Sequence, residues 1–127
     1  MGKDHSDRFV MLVDDAKTRI EEISPEEVQE KLDSGDDFVI VDVREQDEWE
    51  ESHIAGAEYL SKGIIERDVG EEYPDTDKEL VLYCGGGYRS ALAADNLQKM
   101  GYRNVKSLAG GFRSWTEAGL PIKNKKG

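Results

Sequence analysis

Cysteine occurs once in this chain of 127 residues. From a single thiol no intramolecular disulfide, no cysteine-rich metal cluster and no C-x-x-C redox pair can form. A lone cysteine suits a reducing cytoplasm. Long hydrophobic runs are also missing: the longest, such as Leu80–Cys84, have five residues, against the roughly 20 needed to cross a bilayer. Neither a spanning segment nor a secretory leader is visible. Positive charge is scarce, with 17 basic residues against 28 acidic ones and a net charge of −11. That balance makes nucleic acid and anionic membranes poor partners. The cluster Lys123, Lys125, Lys126 is too short to reverse it and reads as a solvated tail. A small anionic substrate is repelled at long range, so any site for one has to concentrate local positive potential.

The length fits one domain. Residues 1–8 are polar and read as a flexible N-terminus, with His5 an incidental surface group. Residues 9–122 form the domain and 123–127 a basic tail. Phe9, Leu12, Val13 and Ala16 recur at helical spacing and predict an amphipathic helix over Phe9–Lys17. Arg19–Ile23 is a short strand candidate. Ser24, Pro25 and Glu27 make a capping box with proline at the first helical position, opening a helix to about Asp33 that Gly35 stops. Phe38–Asp42 is an unbroken run of strand formers, as expected for a strand buried on both faces. Glu45–Glu51 reads as a short acidic helix carrying Trp49, and Ala57–Leu60 as a brief strand. Ile64, Ile65 and Val69 mark another short helix before the turn cluster Pro74–Asp77. Asn104–Leu108 is a further strand, and Ala109, Gly110 and Gly111 open a last helix that Gly119 ends. Alternating strands and helices predict an α/β domain with a largely parallel sheet and helices on both faces.

The most informative stretch runs from Glu79 to Met100. An apolar run ends on Cys84, three glycines follow, and Leu92, Leu97 and Met100 then fall near one helical face. Strand, tight loop and helix in that order aim backbone N–H groups and the positive end of a helix dipole at one point. An ordinary thiol is only about 3% ionised at neutral pH. The loop amides, the helix start and Arg89 together favour a thiolate, which makes Cys84 a nucleophile rather than a small core residue. The Arg89 fork suits an oxyanion. Tyr88 either walls the pocket or faces water. In such sheets ligands bind beyond the carboxyl ends of the strands. Asp42, Val43 and Arg44 follow one such end and Cys84 another, so the two segments are expected to share a rim.

These motifs resemble the rhodanese-like sulfurtransferase family, in its single-domain form. The matching residues are Asp42-Val43-Arg44, Glu48-Trp49 with His53–Ala57, the loop Cys84–Ser90, and Leu108–Phe112 with Trp115 and Gly119–Pro121. The match spans about Ile20 to Pro121. Ser52 stands where the family more often has glycine, and Ala55 where it more often has proline. The resemblance implies a five-stranded, mostly parallel sheet flanked by helices, with Cys84 accepting the sulfur. Gly85, Gly86, Gly87, Tyr88, Arg89 and Ser90 would bind the substrate, their amides cradling a persulfide while Arg89 holds the donor's anionic end. Asp42 and Arg44 would tie loops together around the site, and His53 would make a fixed hydrogen bond rather than act as a base. Lys62 and Arg67 are candidates for steering an anion to the rim.

The resulting expectation is a two-step transfer with ping-pong kinetics, needing neither metal nor cofactor. Thiolate Cys84 takes a sulfane sulfur from thiosulfate, a persulfide or a polysulfide. With no second cysteine to resolve the persulfide, the acceptor is external: cyanide in vitro, and a thiol or partner protein in cells. Two other classes remain open. A rhodanese-like module can serve only for binding or sensing. Phosphatases and arsenate reductases of related architecture space cysteine and arginine by five residues, whereas four separate Cys84 from Arg89, a tighter ring suited to one sulfur atom. No long apolar surface pattern is left over, so the default state is a monomer.

Overall fold

A computed structural model describes residues 5–125. In chain order its elements are α1 (Asp7–Lys17), β1 (Glu21–Ile23), α2 (Pro25–Asp33), β2 (Phe38–Asp42), α3 (Gln46–Glu51), β3 (Ser52–Ile54) and β4 (Glu58–Tyr59), then α4 (Ile65–Glu72), β5 (Glu79–Tyr83), α5 (Tyr88–Lys99), β6 (Val105–Leu108), α6 (Gly111–Glu117) and β7 (Ile122–Asn124). Five strands form one parallel sheet in the order β1-β6-β5-β2-β4, which is the α/β architecture expected from the sequence. No helix among the described residues is long and apolar enough to cross a membrane.

Strand β5 lies at the centre, and its alternation builds both halves of the core. Leu80, Leu82 and Cys84 face one side with Ala93, Ala94 and Leu97 of α5 and Ile65 and Val69 of α4. Val81 and Tyr83 face the other with Val28, Ile54, Leu108 and Trp115. Alanines along α5 let its backbone approach the sheet closely. Trp115 is fully buried on the opposite layer, where truncation to alanine typically costs about 3–5 kcal/mol.

The capping box at Ser24 is formed as written: Ser24 Oγ accepts from the Glu27 N–H at 3.1 Å, and Glu27 Oε1 accepts from the Ser24 N–H at 2.9 Å. Helix α1 starts two residues before the sequence suggests, because Ser6 caps it by accepting from the Phe9 N–H at 3.2 Å. Residues 7 and 8 therefore belong to a helix rather than to a flexible end, and residues 1–4 lie outside the described part. Val13 and Ala16 are buried against α5, while Leu12, on the expected apolar face, is exposed. Arg19, just past α1, grips Asp95 of α5 through Nε and Nη2 at 3.0 and 2.8 Å.

A second, two-stranded sheet was not legible in the sequence. Strand β7 pairs antiparallel with β3, setting Ile122 opposite Ile54 and Lys123 opposite His53. Lys125 extends the pairing by donating its N–H to the Glu51 carbonyl at 2.9 Å. Lys123 and Lys125 are thus tied to the domain's surface, whereas Lys126 and Gly127 of the expected tail lie outside the described residues. Three-residue strands are too short to show a period, and the backbone groups of β3 supply the partner that charge alone does not reveal.

Candidate active site

The register sets Asp42 beside Tyr83, so the segments after β2 and β5 leave the sheet on one rim. Cys84 follows β5 directly and is 1% exposed. Gly87 turns the chain at φ +92° and caps α5, a conformation that glycine adopts without strain. The turn aims the Gly87 N–H at Cys84 Sγ from 3.2 Å and the Ser90 N–H from 3.4 Å. Ser90 Oγ lies 3.6 Å from the sulfur and 2.8 Å from Ser107 Oγ on β6. Negative charge developing on this sulfur meets two main-chain donors, a hydroxyl and the start of a twelve-residue helix.

The loop is held from behind by α6. The Phe112 N–H donates to the Cys84 carbonyl at 2.7 Å, and the Arg113 N–H to the Gly85 carbonyl at 3.0 Å. These bonds hold the Cys84 and Gly85 carbonyls against α6, while the Gly87 and Ser90 amides face the sulfur. Such close approach requires glycine. Gly111 has φ +59°, and a Cβ there would sit 2.5 Å from the Cys84 carbonyl oxygen; a Cβ on Gly87 would meet the Gly110 nitrogen at 3.2 Å. In the sequence Gly110 and Gly111 read as a helix opening; their second task, buttressing the cysteine loop, depends on contacts between distant segments.

Arg89 points at Glu48 of α3, donating from Nη1 to Oε1 at 3.0 Å and from Nη2 to Oε2 at 3.3 Å. Its Nη2 also lies close to Gly85, 3.4 Å from where a Cβ would be. The bond to Glu48 raises the guanidinium's pKa above its ordinary value, against the opposing effect of burial. For Glu48 burial pushes the carboxyl up, but Arg89 and the Glu45 N–H, which donates at 3.0 Å, bring it below the usual carboxylate range. Glu48, the partner of Arg89, is the residue of this site that sequence reasoning left without a role. Its hint was position alone, three residues after Glu45 where a helix-capping carboxylate belongs.

Asp42 and Arg44 form a buried pair. Arg44 Nε and Nη2 donate to the Asp42 carboxylate at 2.7–3.1 Å, and Nη2 also donates to the Ser52 carbonyl at 2.7 Å. The guanidinium lies 4.4 Å from the Phe112 ring centre and 5.5 Å from that of Tyr83. Burial lowers the Arg44 pKa, yet Asp42 more than reverses this, so the charge is retained. Tyr83 is pushed far above its ordinary value by burial and by Asp42, and its neutral hydroxyl accepts from the Ile54 N–H at 3.0 Å. One cation thus ties β2, the α3–β3 junction and α6 together beneath the rim.

The bonds and ring contacts of the remaining candidates lead to partners other than the sulfur. His53 Nδ1 donates to the Trp49 carbonyl at 3.0 Å, and its ring stacks on Trp49 at 3.5 Å; neither contact involves the sulfur loop. Lys62 donates its backbone N–H to the Val43 carbonyl at 3.0 Å, at the rim, and lines a cleft with Leu12 and Ala16 of α1 and Leu92 of α5. Arg67 is exposed and paired with Asp68. Tyr88 is half-buried, its ring stacked with Phe9 at 5.8 Å and tilted against His5 at 4.6 Å. His5 is exposed, as expected, and in addition contacts the loop through Tyr88.

The model of the rhodanese-like domain matches residues 24–118. The thiosulfate sulfurtransferase GlpE of Haemophilus influenzae is 35% identical over 101 residues, covering 80% of this chain and 92% of its own length. The probable adenylyltransferase/sulfurtransferase MoeZ of Mycobacterium tuberculosis is 36% identical over 99 residues; the match covers 78% of this chain but only 25% of that longer protein. Among solved structures, a protein of unknown function and possible tyrosine phosphatase from Rhodopseudomonas palustris superposes with a TM-score of 0.81 and 33% identity, covering 97% of this chain and 99% of that one. A cysteine at the end of a central parallel strand, its glycine turn and the domain-wide match agree, and the chain belongs to the family of rhodanese-like domains.

Proposed function

We propose that the protein is a sulfurtransferase that carries one sulfane sulfur at a time on Cys84. The observation that supports this most is the convergence of the Gly87 and Ser90 amides and the Ser90 hydroxyl on a single sulfur atom. The Cys84 thiolate attacks the outer sulfur of thiosulfate; the donor's S–S bond breaks, sulfite leaves with the electron pair, and a Cys84 persulfide remains. An external nucleophile then bonds to the terminal sulfur and releases the thiolate. Cyanide leaves as thiocyanate; in cells the acceptor is a thiol or a partner protein, because this chain has no second cysteine. Amides of residues 85–90 cradle the terminal sulfur. Arg89 commits Nη1 and Nη2 to Glu48 and offers its remaining N–H groups to the donor's anionic end. Asp42, Arg44 and His53 support the surrounding loops. A monomer working in a reducing cytoplasm fits the single thiol.

The test is treatment with thiosulfate followed by mass spectrometry and thiocyanate assay. A gain of about 32 Da, one sulfur atom, on Cys84 and its absence in Cys84→Ser are expected. Turnover that survives Cys84→Ser refutes the mechanism, and a folded protein that neither gains sulfur nor makes thiocyanate favours a binding module. The Rhodopseudomonas protein, named as a possible tyrosine phosphatase, motivates one parallel assay: Cys84-dependent hydrolysis of an aryl phosphate would replace sulfur transfer as the reading.

A further inference from the structure

Helix α1 precedes the residues 24–118 that match the family's domain, yet it reaches the cysteine loop. The Tyr88 ring, between Gly87 and Arg89, stacks with Phe9 at 5.8 Å and 23° between ring planes and meets His5 at 4.6 Å. Lys17 Nζ, from the other end of α1, lies 5.4 Å from the same ring centre. On its loop side the Tyr88 ring lies over Gly86, with Cδ1 3.9 Å from where a Cβ would be. Tyr88 is the first residue of α5, flanked by the two amides that face Cys84 Sγ. The helix is held independently of these rings, by Val13 and Ala16 against α5 and by Arg19 on Asp95.

We propose that Phe9 and His5 are positioning residues of the reacting sulfur: by clamping the Tyr88 ring they fix the start of α5 and the direction of the Gly87 and Ser90 amides. The proposal rests on Cys84 as the reacting atom, not on which atom it receives. Docking of the helix and stacking of the rings are separable, because different residues carry them. Val13→Ala loosens the helix without touching Tyr88, whereas His5→Ala/Phe9→Ala removes both rings and leaves the buried contacts in place.

The readout is alkylation of Cys84, the single thiol, by iodoacetamide across a pH series. Easier access changes the plateau rate, while poorer stabilisation of the sulfur's charge moves the midpoint, so the midpoint isolates positioning. In the double variant it is expected to rise by about half a pH unit, about a threefold loss of reactive sulfur at a given lower pH. Val13→Ala, though less stable to heat, and Phe9→Trp, which keeps a stacking ring, keep the parent midpoint. An unmoved midpoint in the folded double variant overturns the proposal, as does an equal shift in Val13→Ala or in Phe9→Trp. Thiosulfate loading of the unaltered protein is measured in parallel. Its failure would count against sulfur transfer, while the alkylation profiles would still decide the role of the rings.

Discussion

Gly111→Ala is the most searching single change for the way this site is built. An L-residue at φ +59° costs about 1 kcal/mol in backbone strain. The new Cβ would also stand 2.5 Å from the Cys84 carbonyl oxygen and 2.8 Å from the Gly85 carbonyl carbon and oxygen. These are backbone atoms, so the whole Cys84–Gly85 peptide has to retreat by more than half an ångström. That movement stretches the Phe112 and Arg113 N–H bonds, now at 2.7 and 3.0 Å, each worth about 1 kcal/mol net. The sum is about 3 kcal/mol, or about 12 °C in Tm at about 4 °C per kcal/mol for a domain of this size. Because the sulfur shifts against its amides, single-turnover loading from thiosulfate should fall by about 10²-fold even well below Tm. Gly119→Ala is the control: φ is +74° but no atom lies within 4 Å of the added Cβ, so it should cost about 1 kcal/mol and leave loading unchanged. Thermal melts and quenched-flow mass spectrometry measure both. A Gly111→Ala protein no less stable than Gly119→Ala, or one that loads at the parent rate, would refute the reasoning.

Other outcomes follow from the same contacts. Asp42→Ala leaves Arg44, 5% exposed, without its counter-charge and should destabilise by about 3–5 kcal/mol; Asp42→Ala/Arg44→Met should recover much of that loss in urea melts. Glu48→Gln keeps the shape and the helix cap but removes the charge facing Arg89. Because folding depresses the Glu48 pKa, the pair's stabilisation is complete above the ordinary carboxylate range, about pH 4–5, and is lost as pH falls through the depressed value. The stability advantage of the parent over Glu48→Gln should therefore be constant near neutrality and shrink only in acid, as followed by thermal melts from pH 7 to 3. An advantage that grows on acidification would contradict the assigned direction. Ser107→Ala removes the hydroxyl behind Ser90 and should lower stability by about 1–2 kcal/mol, read from the urea midpoint.

What could be read in advance was whatever depends on neighbours in the chain. The five residues of β2, the capping box at Ser24, and the strand, glycine turn and helix around Cys84 are all local patterns, and the structure has them at or near the expected places. Arg89 was legible as a cation beside the thiol; its partner Glu48 was not, because 41 residues separate them. Lys62 and Arg67 were assigned to the rim by sequence position; Lys62 is tied there by its backbone N–H on the Val43 carbonyl and also lines a flank cleft, while Arg67 pairs with a neighbouring aspartate. The same limit hid the pairing of β7 with β3 and the stacking of Phe9 and His5 on Tyr88. In each case periodicity identifies a face or an end, while the opposing surface is chosen by the fold.

The strand order has a consequence for how the protein is made. Among the described residues strand β1 has β6 as its single neighbour, and the carbonyls of Cys84 and Gly85 are gripped by amides of residues 112 and 113. On the ribosome the earliest strand therefore waits for the latest strand of the sheet, and the cysteine loop emerges well before the helix that shapes it. A nascent chain long enough to expose Cys84 still lacks the two amides that hold its loop. The loop around the thiol takes its final shape only once residues 112 and 113 have emerged, together with the strand that closes the sheet.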